Sequence, residues 1–299
     1  MLEAARVVIY YHSLRRRAAY CAEAYQQYFL RQLAPAQISL IASTPSREHD
    51  LQQLRQVLLE AEEVVVVGGD GSINLVAQLI ALQPLRLTVI PCGTGNDFAR
   101  DLGLSDWRWR MQAELQIDQV SIGKAGKEYF INHAGSGLST DLIALQPRWL
   151  KQMFGRLSYS IALLRYVFGP LSRRQQVYRR GAWYDCHIAA VSRFIGGGIA
   201  VNPLGSRHHE QLQWLALPRS NRWRQLWILL QVLRQRSEHC SELEQQRSAS
   251  DELGSADAHY ELDGDLRGLG PIKIECIPAG LTVLRPKVSN PVNHQGVFS

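Results

Sequence analysis

The chain has 299 residues, 46% of them hydrophobic and 20% charged. That composition excludes a disordered chain and a coiled coil, and at roughly 150 residues per domain it allows about two domains with cores of their own. No apolar run reaches the roughly 18 residues of a spanning helix, and the opening MLEAARVVIYYHSLRRRAAY has an acidic residue before its apolar stretch and the arginine cluster Arg15 to Arg17 after it, the reverse of a secretory signal, so a cytoplasmic location is expected.

The net charge of +6 is carried almost wholly by arginine, which favours anionic partners: nucleotide phosphates, an anionic bilayer surface or nucleic acid. The five cysteines, Cys21, Cys92, Cys186, Cys240 and Cys276, are odd in number and scattered, so neither a disulfide framework nor a structural zinc is expected.

In chain order, residues 6–11 read as a strand, 18–33 as a helix, 38–41 as a short strand and 50–60 as a helix. Residues 64–67 are four valines in a row, the pattern of a strand buried on both faces. A helix over 73–82 and a strand over 87–90 follow, and this alternation predicts a parallel, doubly wound α/β sheet. Beyond about residue 120 the apolar runs are short and punctuated by glycine, at 120–122, 129–132, 187–191, 212–217, 258–262, 272–277 and 281–284, which suits an antiparallel sheet. Helices are expected over 155–168 and 222–235. The polar stretch 245–258 reads as a loop or linker.

Two turns carry the chemical signal. Gly68, Gly69, Asp70, Gly71, Ser72, Ile73 and Asn74 follow the valine strand and open a helix; glycines there let backbone N–H groups approach a phosphate at a helix N-terminus. An aspartate in an anion site is repulsive unless a divalent cation lies between carboxylate and phosphate. Asn74 stands where a dinucleotide fingerprint needs its third glycine, and no Walker A sequence is present. The second turn, Pro91 to Arg100 (PCGTGNDFAR), again enters a helix, with Asn96 or Asp97 as its cap. Turns after successive strands share one sheet edge, where open α/β sheets bind ligands.

These turns resemble the diacylglycerol kinase catalytic domain family, which includes soluble bacterial lipid kinases and the related sphingosine and ceramide kinases. The resemblance extends in order through Phe130, Ile131, Asn132 and Gly135 to Gly137; Gly155, Leu157, Ser158, Tyr159; Gly196 to Gly198 followed by Pro203; and Leu262, Asp263, Gly264, Asp265. It implies a nucleotide-binding domain like those of NAD kinases and phosphofructokinases over residues 1–120, with 285–299 returning to it. A β-sandwich lipid-substrate domain would span 121–284.

It further implies ATP and magnesium as cofactors. Gly68, Gly69, Asp70, Gly71, Ser72 and Asn74 would surround the phosphates, and Thr44, Thr94, Gly95 and Asn96 would touch the nucleotide. Asp263 would be the general base, with Asp265 its companion at the family's glutamate position; Asp70 and Asp265 would serve the metal. Read without the resemblance, Asp263 and Gly264 are an ordinary hairpin turn. Three departures stand out: Arg15 to Arg17 where the family has its first phosphate loop, Leu75 in place of a glutamate, and the segment 205–213, whose one carboxylate is Glu210, where a structural magnesium is usual. That segment is expected to be held by hydrogen bonds or to be mobile.

In 222–236, Trp223, Leu226, Trp227, Leu230 and Leu233 recur at helical spacing among arginines, which suits a bilayer surface. The more ordinary expectation is a helix packing that stripe inward. The reading is thus a lipid kinase transferring the γ-phosphoryl group of ATP to a lipid hydroxyl, diacylglycerol foremost, acting peripherally at the membrane, with no nucleic-acid partner and a homodimer as a further expectation. The alternatives are an NAD kinase-like enzyme and a catalytically impaired nucleotide- or lipid-binding protein.

Overall fold

The computed structural model describes residues 6–145, 175–202, 205–234 and 240–287, with 165, 168 and 236. Most of the helix expected over 155–168, with its Gly155, Leu157, Ser158 and Tyr159, and also Pro203, lie outside the described residues.

The first half alternates as its hydrophobic periodicity demands: β1 (Val7–Tyr11), α1 (Arg16–Leu30), β2 (Ile38–Ala42), α2 (Arg47–Leu58), β3 (Glu63–Gly68), α3 (Asp70–Ile80), β4 (Arg86–Pro91), α4 (Asp97–Asp101) and α5 (Trp109–Gln112). There follow β5 (Leu115–Ala125), β6 (Glu128–Phe130), β7 (His133–Gly137), α6 (Leu138–Ala144), β8 (Val177–Arg179), β9 (Ala182–Ala190), β10 (Phe194–Ile195), β11 (Ile199–Ala200) and β12 (Leu212–Pro218). The chain then forms α7 (Arg222–Leu233), β13 (Glu244–Ser248), β14 (Ser250–Leu253), β15 (His259–Leu262), β16 (Asp265–Leu269) and β17 (Ile272–Pro286).

Strands β2, β1, β3 and β4 run parallel in that order, and Val64 to Val67 are fully buried at the centre, as a run of β-branched residues covered on both faces requires. The sheet continues through β17, parallel to β4, then β5 and β6, both antiparallel to their neighbours. The apolar runs at 272–277 and 281–284 are therefore one strand, broken only by a register shift between Ile277 and Leu281.

A second, wholly antiparallel sheet has the order β13-β12-β9-β7-β15-β16, with β8 on β9. Phe130, Ile274 and Leu253 of the first sheet pack against Ala134, Ala189, Trp214 and Leu262 of the second, so the antiparallel end of the first sheet and the second sheet make the expected β-sandwich. In the stretch expected to be a loop over 245–258, residues 254–258 are a turn, but the part up to Leu253 instead forms β13 and β14. Its polarity reflects position: Glu244, Gln245, Gln246 and Arg247 are exposed on an edge strand. The five cysteines are free and buried.

Candidate functional site

β3 and β4 end side by side, Gly68 opposite Pro91, so the turns that follow them meet at one edge of the sheet. They meet closely: a Cβ on Gly93 would lie 2.5 Å from the Cα of Gly69, and a Cβ on Gly68 would lie 2.5 Å from Ser72 Oγ. Glycine at Gly69 and Gly93 is what lets the two backbones touch.

These turns form one wall of an open cleft of about 420 Å³ in which Gly69, Asp70, Gly71, Ser72, Gly93 and Thr94 face His12, Arg15, Thr44 and Arg47. Arg15 donates to the Thr94 hydroxyl at 2.9 Å and Arg47 to Asn74 Oδ1 at 2.9 Å. Of the three arginines where a phosphate loop was expected, Arg15 lines the cleft and Arg16 and Arg17 do not. Arg47, which sequence reasoning missed, supplies the second guanidinium. Thr44 lines the cleft, but its hydroxyl is spent on Asp50 Oδ1 at 2.7 Å.

Asp70 is the hub of the turns. Its Oδ1 accepts from Phe98 N (2.8 Å) and Asn132 Nδ2 (3.2 Å), its Oδ2 from Asp97 N (3.1 Å), and a Cβ on Gly95 would come within 3.2 Å of Oδ2. Asn96 holds the N-cap position of α4 but gives the helix no side-chain bond: at φ +54° its amide folds back on Gly93, accepting from its N–H at 2.8 Å and donating to its carbonyl at 3.0 Å. Asp97 does not cap α4 either. Its Oδ2 accepts from Gly197 N at 2.8 Å, while its buried Oδ1 makes no hydrogen bond, with Arg100 Nε 4.0 Å away. Burial, and then the Asp70 charge, raise the Asp97 carboxyl above the ordinary carboxylate range.

Two neighbouring carboxylates, one oxygen of which is buried and unsatisfied, are a donor set that a hard divalent cation fits. Among the described residues no group of three or more His, Cys, Asp or Glu is placed to hold a metal, so such an ion would draw its remaining ligands from nucleotide phosphates and water. Asp265 is exposed on β16, 3.7 Å from Arg267, and the carboxylate that accompanies Asp70 is Asp97.

Asn74 and Asp263, 189 residues apart, are joined: Asn74 Nδ2 donates to Asp263 Oδ2 at 2.8 Å and to the Tyr129 carbonyl at 3.1 Å. Asp263, at φ +50°, also accepts from the N–H groups of Ile131 (2.7 Å), Asn132 (2.7 Å) and His133 (3.0 Å). Desolvation raises its pKa against the opposing pull of His133 and those amides. Beyond His133 lies an apolar cavity of about 170 Å³ between the second sheet, α6 and α7, lined by Leu138, Leu142, Ile188, Leu215, Ile228 and Val232 among others, with His133, Ser139 and Gly264 at its polar end. There Glu261 lies 3.0 Å from His133 Nε2 and accepts from Ser139 Oγ and Gly264 N. No sequence pattern signals this pair, because it is assembled by strand pairing in the second sheet.

The segment 205–213, expected to be held by hydrogen bonds or mobile, is tied inward: Arg207, 3% exposed, donates to the Ile131 carbonyl and to Asn132 Oδ1 and lies 2.8 Å from Asp101.

Residues 19–125 match the family model described as the diacylglycerol kinase catalytic domain. A diacylglycerol kinase of Bacillus subtilis (strain 168) is 27% identical over 243 residues, covering 77% of this chain and 80% of that protein. One from Mycobacterium tuberculosis (strain CDC 1551 / Oshkosh) is 26% identical over 260 residues, covering 80% and 82%. A crystal structure of a diacylglycerol kinase from Bacillus anthracis str. Sterne superposes with a TM-score of 0.66 at 14% identity, covering 98% of this chain and 100% of that one, a likeness of fold. The shared fold, the paired glycine turns and the residues matched over 19–125 agree in their likeness to the diacylglycerol kinase catalytic domain family.

Proposed function

We propose that the protein is an ATP- and magnesium-dependent lipid kinase that works peripherally at the cytoplasmic face of a membrane, with diacylglycerol as its acceptor. The observation that carries this reading is a hydrogen-bonded chain between the phosphate-type cleft and the apolar cavity: Arg47 of the cleft donates to Asn74, Asn74 donates to Asp263, and Asp263 accepts from the N–H of His133 at the cavity's polar end. An apolar cavity joined to a phosphate-type cleft by such a chain suits a lipid hydroxyl far better than a second nucleotide, which argues against an NAD kinase-like reading.

On this reading the cleft binds the triphosphate through the turn amides, Arg15 and Arg47. Asp70 and Asp97 would hold magnesium, which neutralises charge on the phosphates when bound. The P–O bond to the β-phosphate breaks as the lipid oxygen bonds to the γ-phosphorus, and the hydroxyl proton passes to Asp263. Desolvation favours that protonation. Both Asp263 oxygens are occupied by donors, and the one side-chain donor is the Asn74 amide, which can retreat to the Tyr129 carbonyl it already contacts.

The test is transfer of label from γ-labelled ATP to diacylglycerol in mixed micelles with magnesium, with NAD as a parallel acceptor. Labelled phosphatidate is the expected product. Label in NAD, or bound nucleotide with no label in any lipid, would overturn the proposal.

A further inference from the structure

The segment 219–236, RSNRWRQLWILLQVLRQR, contains five arginines and no acidic residue. Asn221 starts α7 by accepting from Arg224 N at 2.9 Å. One face of the helix points inward: Gln225 and Ile228 are buried, Gln225 donating to Asp185 at 2.7 Å, and Ile228 and Val232 line the apolar cavity. The expectation that the tryptophan stripe packs inward is overturned. Trp223 is 75% exposed, Trp227 49% and Leu230 38%, at the i, i+4, i+7 spacing of one helical face.

Arg219, Arg224, Arg234 and Arg236 are exposed around that face. The aromatic surface continues at its base, where the Trp183 carbonyl accepts from Arg219 N at 2.9 Å and the exposed rings of Trp183 and Tyr178 lie 5.1 Å apart.

We propose that the outer face of α7 is the membrane-docking surface of this protein and that its partner is an anionic phospholipid bilayer. Indole rings partition to the headgroup boundary, and arginines add attraction to anionic lipid without entering the hydrocarbon. Charge complementarity thus selects the occupant: a ring of cations around an apolar stripe fits an anionic interface. A second copy of the chain would bring the same cations against themselves, and the three apolar side chains expose on the order of 400 Å², about half of what one partner in a stable dimer buries.

The helix has lipid chemistry on both sides, the bilayer in front and the cavity behind, so docking on α7 sets the cavity beside the acyl chains. This last step rests on the lipid-kinase reading; the docking itself does not.

The test uses the full chain with vesicles of phosphatidylcholine alone or with one third phosphatidylglycerol. The protein should co-sediment with the anionic vesicles at low salt and not with the neutral ones, with a blue shift of tryptophan emission. A Trp223→Ser/Trp227→Ser/Leu230→Ser variant should partition at least about tenfold more weakly, and Arg224→Gln/Arg234→Gln should lose the preference for anionic lipid. Both variants should phosphorylate a short-chain, monomerically dissolved diacylglycerol at the wild-type rate. Equal binding by wild type and triple variant, or a wild-type dimer that the triple variant abolishes, would overturn the docking surface. Vesicle binding by a wild type that phosphorylates no lipid would uphold docking and overturn the kinase reading.

Discussion

Asp70 caps, from the first glycine turn, the helix that begins at Asp97: its carboxylate accepts the Asp97 N–H at 3.1 Å and the Phe98 N–H at 2.8 Å. α4 has no side-chain cap of its own, so Asp70 serves the amides a helix N-terminus leaves free and places a negative charge at the positive end of the helix.

From sequence, Asp70 is a ligand that packs no core, so its loss is expected to cost only modest stability. The two amide contacts give that cost a source. Asp70→Ala should lose phosphoryl transfer and also destabilise the fold by about 1–2 kcal/mol, the usual worth of a lost cap. Asp70→Asn keeps one acceptor oxygen and should recover part of the stability but none of the turnover. Urea unfolding and transfer assays on the two variants check this; turnover in Asp70→Asn would remove Asp70 from the reaction.

Asp263 is equally committed. An amide in its place would turn an NH2 group toward two of its four donors, the N–H groups of Ile131, Asn132 and His133 and the Asn74 amide. Asp263→Asn should therefore lower the melting temperature as well as slowing turnover by roughly 10²–10⁴, the usual contribution of a general base. ATP affinity should stay within a few-fold, because Arg15, Arg47 and the turn amides are untouched. Near-normal turnover in a well-folded variant would show that the lipid proton leaves by another route.

What was legible in the chain was what local pattern controls. Four consecutive valines and two glycine turns place β3, β4 and their shared edge, because burial on both faces and close backbone approach leave few alternatives at those residues. What stayed hidden depends on partners distant in sequence. β13 reads as a linker because an edge strand tolerates polar residues, and residues 272–286 read as two strands because a register shift interrupts the apolar run. Asp97 read as a cap, since Asp at a helix start usually is one; only the fold shows that Asp70 has taken that task and left an Asp97 oxygen unsatisfied. Arg47 and His133 carry no motif at all.

The His133–Glu261 pair should write itself into the pH dependence of stability. Burial alone would lower the imidazole pKa, but Glu261, with Asp263 and Asp97 behind it, raises it from 6.5 to about 9. A basic group held more tightly protonated in the fold stabilises fully below its unfolded value and loses that contribution as pH rises through the folded one. Wild-type stability should thus decline between pH 6.5 and about 9, and His133→Gln, less stable at pH 6, should lack that decline. Melting curves across this range decide it; parallel slopes would mean that His133 is neutral in the fold.

Arg207 brings a positive charge into the interior at the junction of the two sheets. Its Nε lies 2.8 Å from Asp101 Oδ2, its Nη1 donates to the Ile131 carbonyl at 2.6 Å and its Nη2 to Asn132 Oδ1 at 2.8 Å, and its guanidinium lies over the Phe98 ring at 4.2 Å. Asn132 in turn donates to Asp70, so the arginine supports the glycine turns from behind. Removing one partner of a buried ion pair typically costs about 3–5 kcal/mol. Arg193 also pairs with Asp101, at 2.6 Å, and softens the loss, so Arg207→Met should cost about 3 kcal/mol. Arg207→Lys should recover little, because an ammonium cannot span three acceptors in one plane. In a double-mutant cycle, Asp101→Asn/Arg207→Met should be less destabilised than the two single variants added together. Urea unfolding measures all four proteins. Additive losses, or a cost below about 1 kcal/mol for Arg207→Met, would show that Arg207 does not hold this junction.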